Sequence, residues 1–236
     1  MAAEQTTTRL PKQRSGAAAP VDGGYAADIF TMSDAERVAL WKQRLFEAEA
    51  GMTKYLVEQQ AGTALGEWFE IQSAIFDGLP AQDPPVPADW QRVFFRAQAL
   101  IERFLISRFG YGELTAWARA NAVVHGAVER ADGRGAADAI GRVARQAELY
   151  GSEMQLLEAS RERAELLITH CGIWDYRERA RARGVPLTLK SPCEFCTAAI
   201  SANIAARGYR PGFELIEDGD DHGCRWQASA PRKADR

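Results

Sequence analysis

The spacing of apolar residues changes once along this chain. From residue 33 to residue 150 they recur every three or four positions, as on one face of a helix. Ser33-Asp34-Ala35-Glu36 has the spacing of a capping box, in which hydroxyl and carboxylate each satisfy an otherwise unpaired amide. Behind it Val38, Trp41, Leu45, Ala48 and Met52 form an apolar stripe. A second helix is predicted over Ala64–Phe76. Asp77–Ala88 contains Gly78, Pro80, Pro84, Pro85 and Pro87 and reads as a loop. A third helix runs over Asp89–Phe109 with Trp90, Phe94, Ala97, Ile101, Phe104 and Leu105 on one face. Gly110 and Gly112 interrupt the pattern, a fourth helix follows to about Arg130, and a fifth covers Ala136–Tyr150 after the turn Asp132-Gly133-Arg134-Gly135.

Beyond Tyr150 the runs shorten. Met154–Ala159 and Ala164–Cys171 are β-capable and joined by Ser160-Arg161-Glu162, which predicts a hairpin. Two helices follow: Ile173–Arg183, stopped by Gly184 and Pro186, and Cys193–Arg207, between Pro192 and Gly208. Phe213–Glu217 and Cys224–Ala228 are the last strands, joined by the acidic turn Asp218-Gly219-Asp220-Asp221. The predicted fold is α+β: an N-terminal helical layer, then a small antiparallel β-β-α-α-β-β unit with helices on one face of its sheet. The organisation read from this is a tail over 1–32, a helical region over 33–150, a cysteine-rich α+β region over 151–230 and a polar tail over 231–236. The first tail is rich in Ala, Thr, Gly and Pro without period, a composition that cannot bury enough apolar surface to offset ordering.

Composition narrows the function classes. The 236 residues are 46% hydrophobic and 26% charged, with a net charge of -3 and no basic cluster. That supplies none of the one-sided positive field nucleic-acid binding needs. No run approaches a membrane span, and residues 1–20 lack the apolar core of a secretory signal. A cytoplasmic location follows as the expectation, with no membrane or nucleic-acid partner; no oligomeric state follows. In a reducing compartment the four cysteines point to metal or thiol chemistry rather than disulfides.

All four cysteines lie after residue 170. Cys193 and Cys196 are three apart at a helix start, on one face and near amides that favour thiolate. His222 and Cys224 are two apart at a strand entry, hence on one side. Cys171 closes the second strand; His170, in register with Ala164, Leu166 and Ile168, is expected on the opposite, core face. Cys193, Cys196, His222 and Cys224 together would make a Cys₃His set for zinc, with iron or an iron–sulfur centre as the lesser option. The same thiols could act as nucleophiles, as a redox pair, or simply pack. Asp175 and Glu217, four residues after Cys171 and seven before Cys224, are the carboxylates placed to move protons. Arg177 and Arg225 could anchor a substrate carboxylate. Asp218, Asp220, Asp221 and Glu194 read as solvated polar positions, and His125, on an Ala/Val helix, as a structural histidine.

The strand ending in Cys171, the helix with Asp175 and Tyr176, the break at Gly184, the helix opening at Cys193 and the ending Gly219-Asp220-Asp221-His222-Gly223-Cys224-Arg225-Trp226 together resemble the L-2-amino-thiazoline-4-carboxylic acid hydrolase family. The resemblance covers about residues 150–230. It implies hydrolytic opening of a cyclic amidine-like ring, on a helical N-terminal part joined to a compact α+β end. A looser similarity is to the small-molecule-binding domain of vinyl reductase type. The function expected is therefore a hydrolase opening a C–N bond in a small cyclic amidine- or imide-like substrate, with Cys193 or Cys171 attacking directly or a zinc-bound water attacking. The alternative is a non-enzymatic small-molecule- or partner-binding domain with a structural Cys₃His or Cys₄ metal site.

Overall fold

The computed structural model describes residues 32–129, 131–219 and 221–231. The tail expected over 1–32, except Met32, and residues 232–236 lie outside that range. Five helices come first: α1 (Asp34–Glu58), α2 (Leu65–Phe76), α3 (Pro87–Phe109), α4 (Leu114–Val128) and α5 (Ala136–Leu149). The hairpin β1 (Glu153–Ala159) and β2 (Arg163–His170) follows, then α6 (Gly172–Ala182), α7 (Cys193–Ala206), β3 (Arg210–Asp218) and β4 (Asp221–Ser229). The protein is α+β, and every predicted helix and strand is present. No described helix is long and apolar enough to cross a membrane.

Helix α1 begins as its sequence dictates. Ser33 N–H donates to Glu36 Oε2 (2.7 Å) and Glu36 N–H to Ser33 Oγ (3.3 Å), the reciprocal capping box. Pro87 stands in the first turn of α3, where a missing N–H costs nothing.

The described chain divides into two compact units, and the boundary differs from the one expected at residue 150. The sheet unit takes residues 131–180 and 207–231; the helical unit takes 32–129 and 181–206. Helix α5 thus belongs with the sheet and α7 with the other helices. Sequence order had assigned each to the opposite part, but packing follows exposed apolar faces rather than chain order. In the sheet unit the strand order is β1-β2-β4-β3, all neighbours antiparallel. The pairs Ala164–Ala228, Leu166–Trp226 and Ile168–Cys224 share one face by strand alternation, and all but the half-buried Cys224 are buried. Helix α5 lies against these strands, burying Ala136, Ala139, Ile140, Val143, Ala144 and Ala147. The opposite face is polar: Glu165, 7% exposed, is held by Arg163 (2.9 Å), Arg225 (3.1 Å) and Gln227 (3.0 Å).

In the helical unit α1 packs on α3 and α4, and α7 on α4. Trp41 contacts Phe94 and Phe95, Trp68 stacks on Phe104, and Trp117 stacks on Phe195 of α7 at 4.1 Å. Trp41, Trp68, Trp117, Phe94, Phe95 and Phe104 are therefore core, whereas Phe46, Phe69 and Phe76 are exposed.

Candidate functional site

The densest constellation of reactive groups within one unit lies where β2 ends, α6 begins and β4 starts. Strand β2 stops at His170, and Cys171 is the residue before α6. Its carbonyl accepts the Asp175 N–H (3.2 Å), the first turn of the helix, so Cys171 is the N-cap. Its own N–H donates to the His222 carbonyl (2.8 Å), tying this corner to β4. A cysteine here sits at the end of a helix where backbone donors stabilise negative charge.

Two glycines allow the corner to close. A Cβ on Gly172 would lie 2.3 Å from the Tyr150 carbonyl oxygen, and one on Gly223 would lie 2.3 Å from the Ile168 carbonyl oxygen. The Gly172 N–H is satisfied by Ser152 Oγ (3.0 Å).

His170 is the centre of this corner. Its Nε2 lies 2.8 Å from Asp175 Oδ2, and its Nδ1 lies 3.1 Å from Asp221 Oδ1. A ring with a carboxylate at each nitrogen donates at both only as imidazolium. Asp175 first, and Asp221 second, hold the His170 pKa above the ordinary histidine value, against a smaller opposing effect of burial. The side chain is one-third exposed, as is that of Asp175, whereas Asp221 is 68% exposed. Arg179 is a more distant partner of Asp175 (3.8 Å). On the neighbouring strand the His222 ring stacks on Trp174 of α6 with centroids 3.6 Å apart and planes at 32°. Consecutive residues of α6, Trp174 and Asp175, therefore each engage one histidine.

His170 corrects the expectation that it belongs with the core. It does share the strand face of Ile168, but it is the last residue of β2, paired with Glu153 of β1 and beyond the β2–β4 pairs, where that face meets charged side chains. Cys171 is past the strand, so alternation no longer governs it. Sequence reading missed His170 and Asp221 as members of the site. The available signal was the five-residue step from His170 to Asp175, which spans a strand end and a helix's first turn.

The remaining candidates are distributed as follows. Cys224 is half-buried beside Trp226, whose indole N–H donates to its Sγ (3.2 Å). Glu217, exposed on β3, is the register partner of His222. Arg225 is on the other face of β4 from Cys224 and is paired with Glu165. Arg177 of α6 is 4% exposed. Cys193 and Cys196 lie in the helical unit, half-buried in the first turn of α7. That turn is capped: Cys193 N–H donates to Ser191 Oγ (3.1 Å), and Ser191 N–H to Glu194 Oε1 (2.9 Å). Glu194 is thus a capping residue. The four donors offered to zinc divide between the units, Cys193 and Cys196 in one, His222 and Cys224 in the other. Among the described residues no group of three or more His, Cys, Asp or Glu side chains is arranged to hold a metal ion.

No protein-family model matches the chain, nor does any curated protein or solved structure.

Proposed function

We propose that this protein is a hydrolase that opens a C–N bond in a small cyclic amidine- or imide-like substrate at the corner formed by His170, Cys171, Asp175 and Asp221. The observation that carries the reading is His170, held at both ring nitrogens by carboxylates and followed directly by a cysteine at a helix N-cap. A positioned imidazole, an orienting carboxylate and a thiol are the parts needed for nucleophilic ring opening.

The chemistry follows from their placement. Asp175 makes the shorter contact and orients the ring through Nε2. Asp221, more exposed and farther away, is the partner a substrate displaces from Nδ1. The Cys171 thiolate adds to the amidine or imide carbon. The ring C–N bond breaks, and its nitrogen takes the Nδ1 proton. Neutral His170 then draws a proton from water, which attacks the same carbon and releases the thiolate. The net change is addition of one water across the C–N bond. Glu217, across the strand from His222, is a further acceptor at this edge. Cys193, in the first turn of α7, is the rival nucleophile.

The test combines single variants with two inhibitors. Cys171→Ser and Cys193→Ser are assayed on five-membered cyclic amidines, thiazolines and imides bearing a carboxylate. Loss of turnover in the first alone, with iodoacetamide inactivation and indifference to chelator, supports this site. Loss on chelation and recovery with zinc refutes it in favour of a metal-bound water.

A second reading is favoured by the pairing of Cys193 and Cys196 one helical turn apart. In it the chain is a ligand- or partner-binding domain whose cysteines hold a structural zinc. Elemental analysis showing one tightly held equivalent of zinc, in protein that opens no ring, would establish that reading instead.

A further inference from the structure

The Cys-x-x-Cys of α7 lies in the helical unit and takes no part in the steps assigned to the His170 corner. The Pro192 carbonyl accepts the Cys196 N–H (3.0 Å), so Pro192 caps the helix, Cys193 is its first residue and Cys196 its fourth. Residues three apart in an α-helix have Cα atoms about 5 Å apart, inside the roughly 4.4–6.8 Å span that a disulfide bridges. Neither cysteine is joined in a disulfide, and both are half-buried rather than sealed in the core.

The surroundings hold the motif from both sides. Before it, Leu189 is buried, and the carbonyls of Thr188 and Lys190 accept from Tyr111 Oη (3.0 Å) and Arg181 Nη2 (2.8 Å). Within it, Phe195 stacks on the buried Trp117, and Glu194 Oε1 accepts the Ser191 N–H. The two intervening side chains are thus committed to packing and to the cap. The two thiols are not equivalent. Cys193 stands at the positive end of the α7 dipole, whose effect fades within the first turn. Its N–H donates to Ser191 Oγ (3.1 Å) and its carbonyl accepts from Thr197 Oγ1 (2.8 Å), two side-chain rotors that follow a small backbone shift. Cys196 is locked by its N–H in the backbone ladder. Helical Cβ atoms three residues apart stand about 5–6 Å from each other, and a disulfide needs about 3.8 Å. Closure therefore asks for a shift of roughly 1–2 Å, and Cys193 is the residue placed to make it.

We propose that Cys193 and Cys196 are a redox-active dithiol that reduces small aliphatic disulfides, with Cys193 attacking and Cys196 resolving. The Cys193 thiolate attacks one sulfur of the small disulfide. That S–S bond breaks, one small thiolate leaves, and Cys193 is held as a mixed disulfide. The Cys196 thiolate then attacks the Cys193 sulfur and expels the second small thiolate. Two electrons pass from the cysteine pair to the small disulfide, and the two cysteine protons end on the two released thiols. Excess small thiol drives the same steps backward and restores the dithiol. The proposal does not rest on the hydrolase reading. It competes with the structural zinc reading, in which both thiolates would be metal ligands.

The test incubates the full chain with glutathione disulfide and glutathione at set ratios, quenches in acid, alkylates, and reads the peptides by mass spectrometry. Wild type should form a Cys193–Cys196 disulfide that reopens in excess glutathione, with the mixed disulfide below about a tenth of the protein. In Cys196→Ser the mixed disulfide at Cys193 should become the main product, a rise of roughly tenfold. Cys193→Ser should take up glutathione at Cys196 roughly tenfold more slowly than Cys196→Ser does at Cys193. Circular dichroism shows that each variant is folded. Several results would each overturn the proposal: a wild-type pair that stays reduced in glutathione disulfide alone, a mixed disulfide that accumulates with Cys196 present, or a bridge from Cys193 to Cys171 or Cys224. Equal uptake by the two folded variants, or one tightly held equivalent of zinc that prevents closure, would overturn it as well.

Discussion

Gly223→Ala probes whether the site corner depends on close approach of β2 and β4. The added Cβ would stand 2.3 Å from the Ile168 carbonyl oxygen and 3.2 Å from that of Thr169. Ordinary carbon–oxygen contact needs about 1 Å more. Both oxygens are backbone atoms, so no rotamer change relieves the overlap and the strands must part. A parting of that size would also stretch the 2.8 Å bond from Cys171 N–H to the His222 carbonyl beyond hydrogen-bond range. Overpacking costs about 1–3 kcal/mol and the lost bond about 1 kcal/mol, against a gain of up to about 1 kcal/mol from replacing a strand glycine. The net expectation is destabilisation by about 2–3 kcal/mol. Urea unfolding measures it as a lower midpoint at unchanged slope. Gly212→Ala is the control: its Cβ would meet nothing closer than Gln227 Cβ at 3.6 Å, so it should be neutral or mildly stabilising. If Gly223→Ala matches wild type, the packing at this corner has been misread.

Three further expectations are independent of activity. His170 has its folded-state pKa raised by Asp175 and Asp221, so it contributes stability that is full below the unfolded value of about 6.5 and is lost as pH rises through the folded value. The deficit in thermal midpoint of His170→Asn should therefore be largest near pH ~6 and shrink by pH ~9; a deficit constant with pH would deny the ion contacts. Glu49 of α1 is buried with Oε1 lacking a partner, and burial pushes its pKa up to about 7. Between its unfolded value and about pH 7 only the unfolded chain releases this proton, so Glu49→Gln should gain nothing at about pH 4 and roughly 1–3 kcal/mol above pH ~7, read from urea midpoints. Ser191→Ala removes the acceptor for the Cys193 N–H and should cost about 1 kcal/mol in thermal or urea unfolding; no loss would mean the α7 cap is idle.

Most of the architecture was legible because local rules and packing agree here. The Ser33–Glu36 box, the proline run before α3, and the alternation of Ala164, Leu166, Ile168, Cys224 and Trp226 each specify their own element. The strand order and the two-unit division were not legible, since both depend on which apolar faces meet at a distance. Helix α7 shows why. Its Cys-Glu-Phe-Cys-Thr-Ala-Ala-Ile run is apolar nearly all round and names no partner, and the Trp117–Phe195 stack joins residues far apart in sequence. The site was half legible. Cys171, Asp175 and His222 were singled out, but alternation along β2 sent its last residue, His170, to the core face, where it meets Asp175 and Asp221 instead. Asp221 looked like one more solvated turn residue, because nothing local reveals that β4 begins beside the end of β2.

The central claim is that the His170 corner opens C–N rings. Its most direct test is the steady-state rate at which full-length protein hydrolyses the panel of carboxylate-bearing cyclic amidines, thiazolines and imides, compared with His170→Asn. Wild type should open at least one member, and the variant, still folded by its circular dichroism and unfolding curve, should lose roughly 10²–10⁴-fold in kcat, the usual contribution of general acid–base catalysis. Hydrolysis undiminished in folded His170→Asn, or no ring opened by folded wild type, would contradict it.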